Sequence, residues 1–224
     1  MTRLPGASRA RPRLAPRSLQ ALRWSAALCA LAGLGALVAH VLGMLPMPYF
    51  LTFLGVPSLL LLFMMAAFGR WVDAEVFVNA LAVGLVGGIA GTLVYDGVRF
   101  VLHHAHVFNY DGFAAIYLFG GWITSTAPTS ARAAIAGWTY HFWNGISFGI
   151  FYALAFNGRP WLIGVAYGVV MELCMLGLFP LFLRVTDRFD FIALSLVGHL
   201  FYGAALGLLV ERWGRRWDGR VLGA

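Results

Sequence analysis

Three ionisable residues lie inside long apolar runs of this sequence: His141, Glu172 and His199. Two of them open matching phrases, His141-Phe-Trp-Asn144-Gly145-Ile-Ser-Phe-Gly149 and His199-Leu-Phe-Tyr202-Gly203-Ala-Ala-Leu-Gly207. The phrases start 58 positions apart and reduce to His, two apolar residues, Asn or Tyr, Gly, and a second Gly four residues on. On a helix, positions i, i+4 and i+8 share a face, so each His stands in line with two glycines. A glycine face lets a neighbouring helix approach, which turns each His toward the bundle interior rather than lipid. Glu172 falls between them in Val169-Val-Met-Glu172-Leu-Cys174. Counted from the ends of their runs, all three are about 8–11 residues deep, roughly 12–16 Å at 1.5 Å per residue. They are expected to share one layer near mid-membrane, with Asn144, Ser147 and Tyr202 completing a polar network.

Three chemistries fit such a layer. Ionisable groups at that depth are costly and face a partner, so the first is a hydrogen-bonded network that sets helix register, with Glu172 or backbone carbonyls pairing the histidines. The second is cofactor ligation. His141 and His199 on facing helices suit the two axial positions of a b-type haem. His141, Glu172 and His199 together suit a divalent metal with open positions. The third is a path for a proton or small solute, with His and Glu in a wet cavity. The expectation is the first, with no cofactor by default. A haem or metal redox protein is the alternative, and a proton or solute transporter the second alternative. No P-loop, HExxH or CxxC pattern occurs in the sequence, which weighs against an enzyme without naming another role.

The elements that must hold this layer follow from composition. Of 224 residues, 61% are hydrophobic and only 11% charged, against roughly 25% charged in a soluble domain. Such a chain cannot clothe a water-soluble globule. The expected fold is an all-α membrane protein of about six transmembrane helices, over 22–45, 49–69, 75–95, 133–156, 161–183 and 190–210. The bundle then occupies 22–210, between an Arg-rich cytoplasmic arm over 1–21 and a basic cytoplasmic tail over 211–224. Gly84, Gly88 and Gly91, with Gly87 between, form small-xxx-small pairs for helix packing, as do Gly145, Gly149, Gly203 and Gly207 on the two His helices.

All sixteen basic residues are Arg, and ten flank the first and last runs. That distribution is the positive-inside pattern of a bilayer-embedded chain, not a nucleic-acid footprint. It puts both termini on the cytoplasmic side, with Trp24, Trp71, Trp161 and Trp213 at inner ends. The first run reads as an uncleaved span, since no small-residue cleavage site follows it. Cys29 and Cys174 fall toward opposite faces and read as free thiols. Partners are the lipid bilayer and, as its size allows, a second copy or a larger membrane complex.

Between Asp96 and Arg132 the apolar stretch Phe113–Ile123 is too short to span and reads as an outer-face re-entrant or interfacial segment. Asp96 and Arg99, at i, i+3, read as an interfacial pair. His103, His104 and His106 read as solvated, with metal chelation the alternative, and His40 as a packed lone His.

The phrase from His199 to Gly207 resembles a helix motif of small bacterial inner-membrane proteins, the YagU-like group among them. The fourth run matches it loosely, with Asn144 where Tyr is usual. The resemblance implies a bacterial multi-pass protein of the cell inner membrane without an established reaction. It brings no catalytic residues.

Overall fold

In hydrocarbon a backbone N–H or C=O has no water to bond, so apolar runs close their hydrogen bonds internally as helix. The computed structural model describes residues 14–108, 110–178, 181 and 188–217, and among them regular structure is helical throughout, with no strand. Helix α1 (Pro16–Ala30) opens on a proline, whose missing N–H has no partner to lose in a first turn. Helix α2 (Ala32–Val41) continues it after a 45° bend at Leu31. The bend has an identifiable neighbour: the Tyr140 hydroxyl donates to the Gly33 carbonyl at 2.8 Å, and Asn144 Oδ1 fills the place where a Gly33 side chain would start.

Helix α3 (Met47–Phe50) passes through a wide π turn (Leu51–Gly55) into α4 (Val56–Trp71). The wide turn directly precedes Pro57, which has no N–H to give and whose ring would crowd a regular preceding turn. Then come α5 (Glu75–His104), α6 (Ala114–Thr124), α7 (Ala131–Phe156), α8 (Leu162–Leu178) and α9 (Arg188–Trp213). Ser130 caps α7 by accepting the Ala133 N–H at 3.1 Å.

Helix forms in each of the six apolar windows, but six spans are not shown. Three helical segments are long and apolar enough to cross a membrane: Met47–Trp71, Glu75–His104 and Phe189–Trp213. The bent α1–α2 pair makes a fourth if it counts as one. Helix α7 has 26 residues, but Trp138, Tyr140, His141, Trp143 and Asn144 dilute its hydropathy. Helix α8 is described over 17 residues, about 26 Å, against the roughly 30 Å of the hydrocarbon layer. Window counting weighs residues by type and cannot see that the polar ones in α7 are spent on neighbours inside the bundle.

Boundaries differ too. The arm expected over 1–21 lies outside the described residues up to 13, and helix already begins at Pro16. The tail expected over 211–224 is described to 217, with α9 reaching Trp213. Of the charges expected on the outer side, Arg184 and Asp187 lie outside the described residues.

Packing follows the glycines. A Cβ on Gly84 would stand 2.6 Å from Ile150 Cα, and one on Gly88 2.6 Å from Ile146 Cα, so α5 and α7 cross backbone to backbone. A Cβ on Gly91 would meet the Tyr202 ring at 2.8 Å, and one on Gly87 would meet Leu206 at 2.7 Å, which seats α9 on α5. The α8–α9 crossing repeats the device: Gly164 and Gly168 face Gly203, Gly207 and the His199 carbonyl. Helix α4 stands at the periphery. Only 17% of its apolar window is buried, and Phe53, Leu60, Phe63 and Met64 form an exposed face that suits lipid rather than water.

The two ends of the described chain meet at one end of the bundle. Asn79 of α5 bonds the Trp213 carbonyl at 3.2 Å and accepts the Arg215 N–H at 2.6 Å, while Arg215 pairs with Glu75. Buried Arg23 donates to the Leu154 and Ala155 carbonyls at the end of α7, and its guanidinium lies 4.7 Å from the Trp217 ring. These carbonyls have no partner within their own helix, so the fork caps α7. Replacing Arg23 with Met is expected to destabilise the fold by about 2–4 kcal/mol, since a charge-assisted bond is worth about 1.5–3. Arg23→Lys should recover only part of this, because an ammonium lacks the planar fork. Thermal melts of both variants in one detergent check the order.

Candidate functional site

The histidines do not meet each other. Each finds a carboxylate on the helix its glycines cross. On α7, His141 Nε2–H donates to Asp96 of α5, 3.0 and 3.1 Å from its two oxygens. On α9, His199 Nδ1 lies 2.8 Å from Glu172 Oε2 of α8 and 3.0 Å from the Ser195 carbonyl. Both neighbours are acceptors, so Nδ1 carries the proton there. Ser195 Oγ also donates to Glu172 Oε2 at 2.6 Å. Glu172 is 1% exposed, and its other oxygen, Oε1, has no protein partner.

The layer expected to join His141, Glu172 and His199 is thus split into two pairs. Tyr95 lies against both, its ring 4.9 Å from His199 and 6.1 Å from His141. Among the described residues no group of three or more His, Cys, Asp or Glu side chains is placed to hold a metal ion. Tyr202 and Asn144 also take structural work: the Tyr202 hydroxyl donates to the Gly145 carbonyl at 2.7 Å, and Asn144 presses on Gly33.

Asp96 and Arg99 pair as their i, i+3 spacing leads one to expect, and the pair is largely buried among the helices. Helix α5 runs nine residues beyond the expected 95, to His104, and carries both inside. Arg99 is 7% exposed, 3.6 Å from Asp96, with its guanidinium 4.5 Å from the Tyr95 ring and 5.1 Å from Phe113. Its Nε has no hydrogen-bond partner. The clue was in the spacing. Asp96 follows Gly84, Gly88 and Thr92 at four-residue intervals, as Glu172 follows Gly164 and Gly168, so each carboxylate lies on the same stripe as the glycines of its own crossing.

These groups surround a cavity of about 100 Å³. Polar walls come from Thr92, Tyr95 and Arg99 of α5, His141 and Asn144 of α7, and Ser195, His199 and Tyr202 of α9. Helix α6, about 16 Å long, supplies Ala115, Ile116 and Phe119, and the connector before it supplies Tyr110 and Gly112. Burial pushes the Tyr110 hydroxyl above its ordinary range, with Arg99 opposing, so it stays a donor at neutral pH. Helix α6 is bound tightly to α7: a Cβ on Gly120 or Gly137 would collide with the backbone of Ala133 or Ile116.

The remaining histidines lie elsewhere. His40 accepts the Met47 N–H at 3.3 Å and packs on Trp122, 4.5 Å between centroids. His104 bonds the Phe100 carbonyl at 2.9 Å, His103 lies edge-on to it, and His106 has a positive φ of 53°. Cys29 and Cys174 are free.

A family model described as a family of unknown function, DUF6789, matches residues 78–221, more than half of the chain. The chain belongs to this family. The matched region runs from α5 through α9 and so contains both His–carboxylate pairs and the cavity, while α1 to α4 precede it. Nothing in the comparisons links the chain to YagU-like proteins. No curated protein and no solved structure matches it.

Proposed function

We propose that this chain is a multi-pass protein of the bacterial cytoplasmic membrane that admits a small polar solute into the cavity between α5, α6, α7 and α9. The observation that carries the reading is the cavity itself, walled by a buried Arg and two carboxylate-backed imidazoles at a depth where such groups are expensive. Arg-rich ends and the Trp residues at the end where Arg23, Glu75 and Arg215 gather support an orientation with that end cytoplasmic. The short α6, packed on α7, supports a re-entrant segment on the other side. A cavity of this volume, with Tyr95 against both imidazoles, favours a solute of a few heavy atoms over a haem macrocycle between them.

The experiment is solute entry into proteoliposomes, followed by light scattering for a panel of small neutral and charged solutes. Ala115→Leu, which fills the cavity from α6, should reduce entry of the admitted solute to the level of empty liposomes. Equal entry with wild-type protein, the filled variant and empty liposomes for every solute would overturn the reading. The two pairs would then serve to lock helix register.

A further inference from the structure

The cavity wall has a chemical sign. Arg99, His141 and His199 line it together with Tyr95, Tyr110 and Tyr202, the Tyr202 hydroxyl being donated to the Gly145 carbonyl. Asp96 and Glu172 are not among the described lining residues; they stand behind the imidazoles, each holding one ring nitrogen. The face turned to an occupant is therefore rich in donors and basic groups and poor in anions. An ammonium ion would meet the Arg99 charge with no carboxylate in reach on the wall, so cations are disfavoured.

Arg99 supplies the specific feature. It is buried, its Nε has no partner among the described residues, its guanidinium lies 4.5 Å from the Tyr95 ring and 5.1 Å from Phe113, and its Nη1 is 3.6 Å from Asp96 Oδ1, which leaves the Nε–Nη2 edge for hydrogen bonding. Gly112 crosses so closely that a Cβ there would stand 2.6 Å from Nη2 and 2.9 Å from Nε. A planar fork of this kind matches a planar carboxylate. Leu37, Phe148 and Met175 form an apolar part of the wall that suits a short hydrocarbon tail. At ~30 Å³ per water of liquid, the volume holds on the order of three to six heavy atoms.

We infer that the cavity takes a short monocarboxylic acid, held by its carboxylate on the Arg99 edge. This rests on the solute-admitting reading above. Charge closes in one way. Asp96 and Glu172 already outnumber Arg99, so the ligand enters as the neutral acid and passes its proton to an imidazole nitrogen. The O–H bond breaks, an N–H bond forms, the carboxylate stays on Arg99, and the carboxylate behind the ring steadies the imidazolium.

The test is equilibrium binding of radiolabelled propionate, methylammonium and urea to the full chain in lipid nanodiscs. Wild-type protein should bind propionate alone. Arg99→Gln should weaken it roughly 10- to 100-fold, the loss of a charge-assisted bond, and Arg99→Lys should fall between. Gly112→Ala, which displaces the guanidinium while keeping it, guards against an Arg99 variant that does not fold and should weaken propionate as well. Binding of methylammonium or urea in place of propionate would overturn the monocarboxylate assignment and leave the solute-admitting reading standing. Binding of none of the three, joined to equal liposome entry of every solute, would overturn both. Propionate bound equally by wild type, Arg99→Gln and Gly112→Ala would overturn the role of Arg99.

Discussion

Glu172→Ala is expected to be among the most destabilising single substitutions in this chain, costing about 2–4 kcal/mol, since it deprives two buried donors of their acceptor at about 1–3 kcal/mol each. The carboxylate is 1% exposed and serves two groups through one oxygen, His199 Nδ1 at 2.8 Å and Ser195 Oγ at 2.6 Å. Removing it leaves the serine hydroxyl without its acceptor and the imidazole with only the Ser195 carbonyl. Glu172→Gln keeps the shape and one acceptor oxygen, so it should lose well under half as much. The check is reversible unfolding in mixed micelles, with His199→Ala alone and in combination. Because the two groups share one interaction, the double variant should cost clearly less than the two single losses added together. Strictly additive losses, or a Glu172→Ala cost below about 1 kcal/mol, would mean that the pair does not hold α8 to α9.

The second large effect is steric. Gly149→Ala adds a methyl where α7 meets α5 with no room: a Cβ there contacts the Gly84 carbonyl and stands 2.5 Å from Gly88 Cα. Those atoms are helix backbone and cannot rotate away, so the helices must part along the whole seam. The parting also loosens His141 from Asp96, since both pairs of contacts lie on the same crossing. Overpacking of a tight core costs about 1–3 kcal/mol and sometimes more; the rigid backbone neighbours place this site at the upper end. Gly177→Ala provides the control. Among the described residues nothing lies within 4 Å of its Cβ, and alanine is the better helix former by about 1 kcal/mol, so that variant should melt at or slightly above the wild-type temperature. Similar melting temperatures for the two variants would contradict the close α5–α7 crossing.

These two sites show which parts of the molecule a linear reading reaches. Gly84, Gly88, Gly145, Gly149, Gly203 and Gly207 stood out because helical periodicity is local: four residues apart is one turn, wherever the helix sits. Which helix each glycine face would meet was not local information. Gly164 and Gly168, which carry the α8 side of the second crossing, have the same four-residue spacing and are legible by the same rule. The depth of Asp96 was not local information either. A charged residue followed by Arg99 three positions later reads as the water-facing end of a span, and only the continuation of α5 to His104 carries both inside. Tyr95 and Ser195 had no signal at all, because Tyr and Ser occur throughout such chains and gain meaning only from the rings and carboxylate beside them.

What the sequence by itself determined is the class: an apolar, lightly charged chain with helices in each of its long hydrophobic runs, and two His-Gly-Gly faces built alike. These follow from composition and i, i+4 spacing, which are properties of short stretches. Tertiary structure alone decided that the two histidines take separate carboxylates, that the bend at Leu31 lies beside Tyr140 and Asn144, and which three or four helical segments among the described residues have a span's length and hydropathy. The reason is distance along the chain. Asp96 and His141 are separated by 45 positions, Gly33 and Tyr140 by 107, and such pairs are chosen by which helix faces can approach, not by either segment alone.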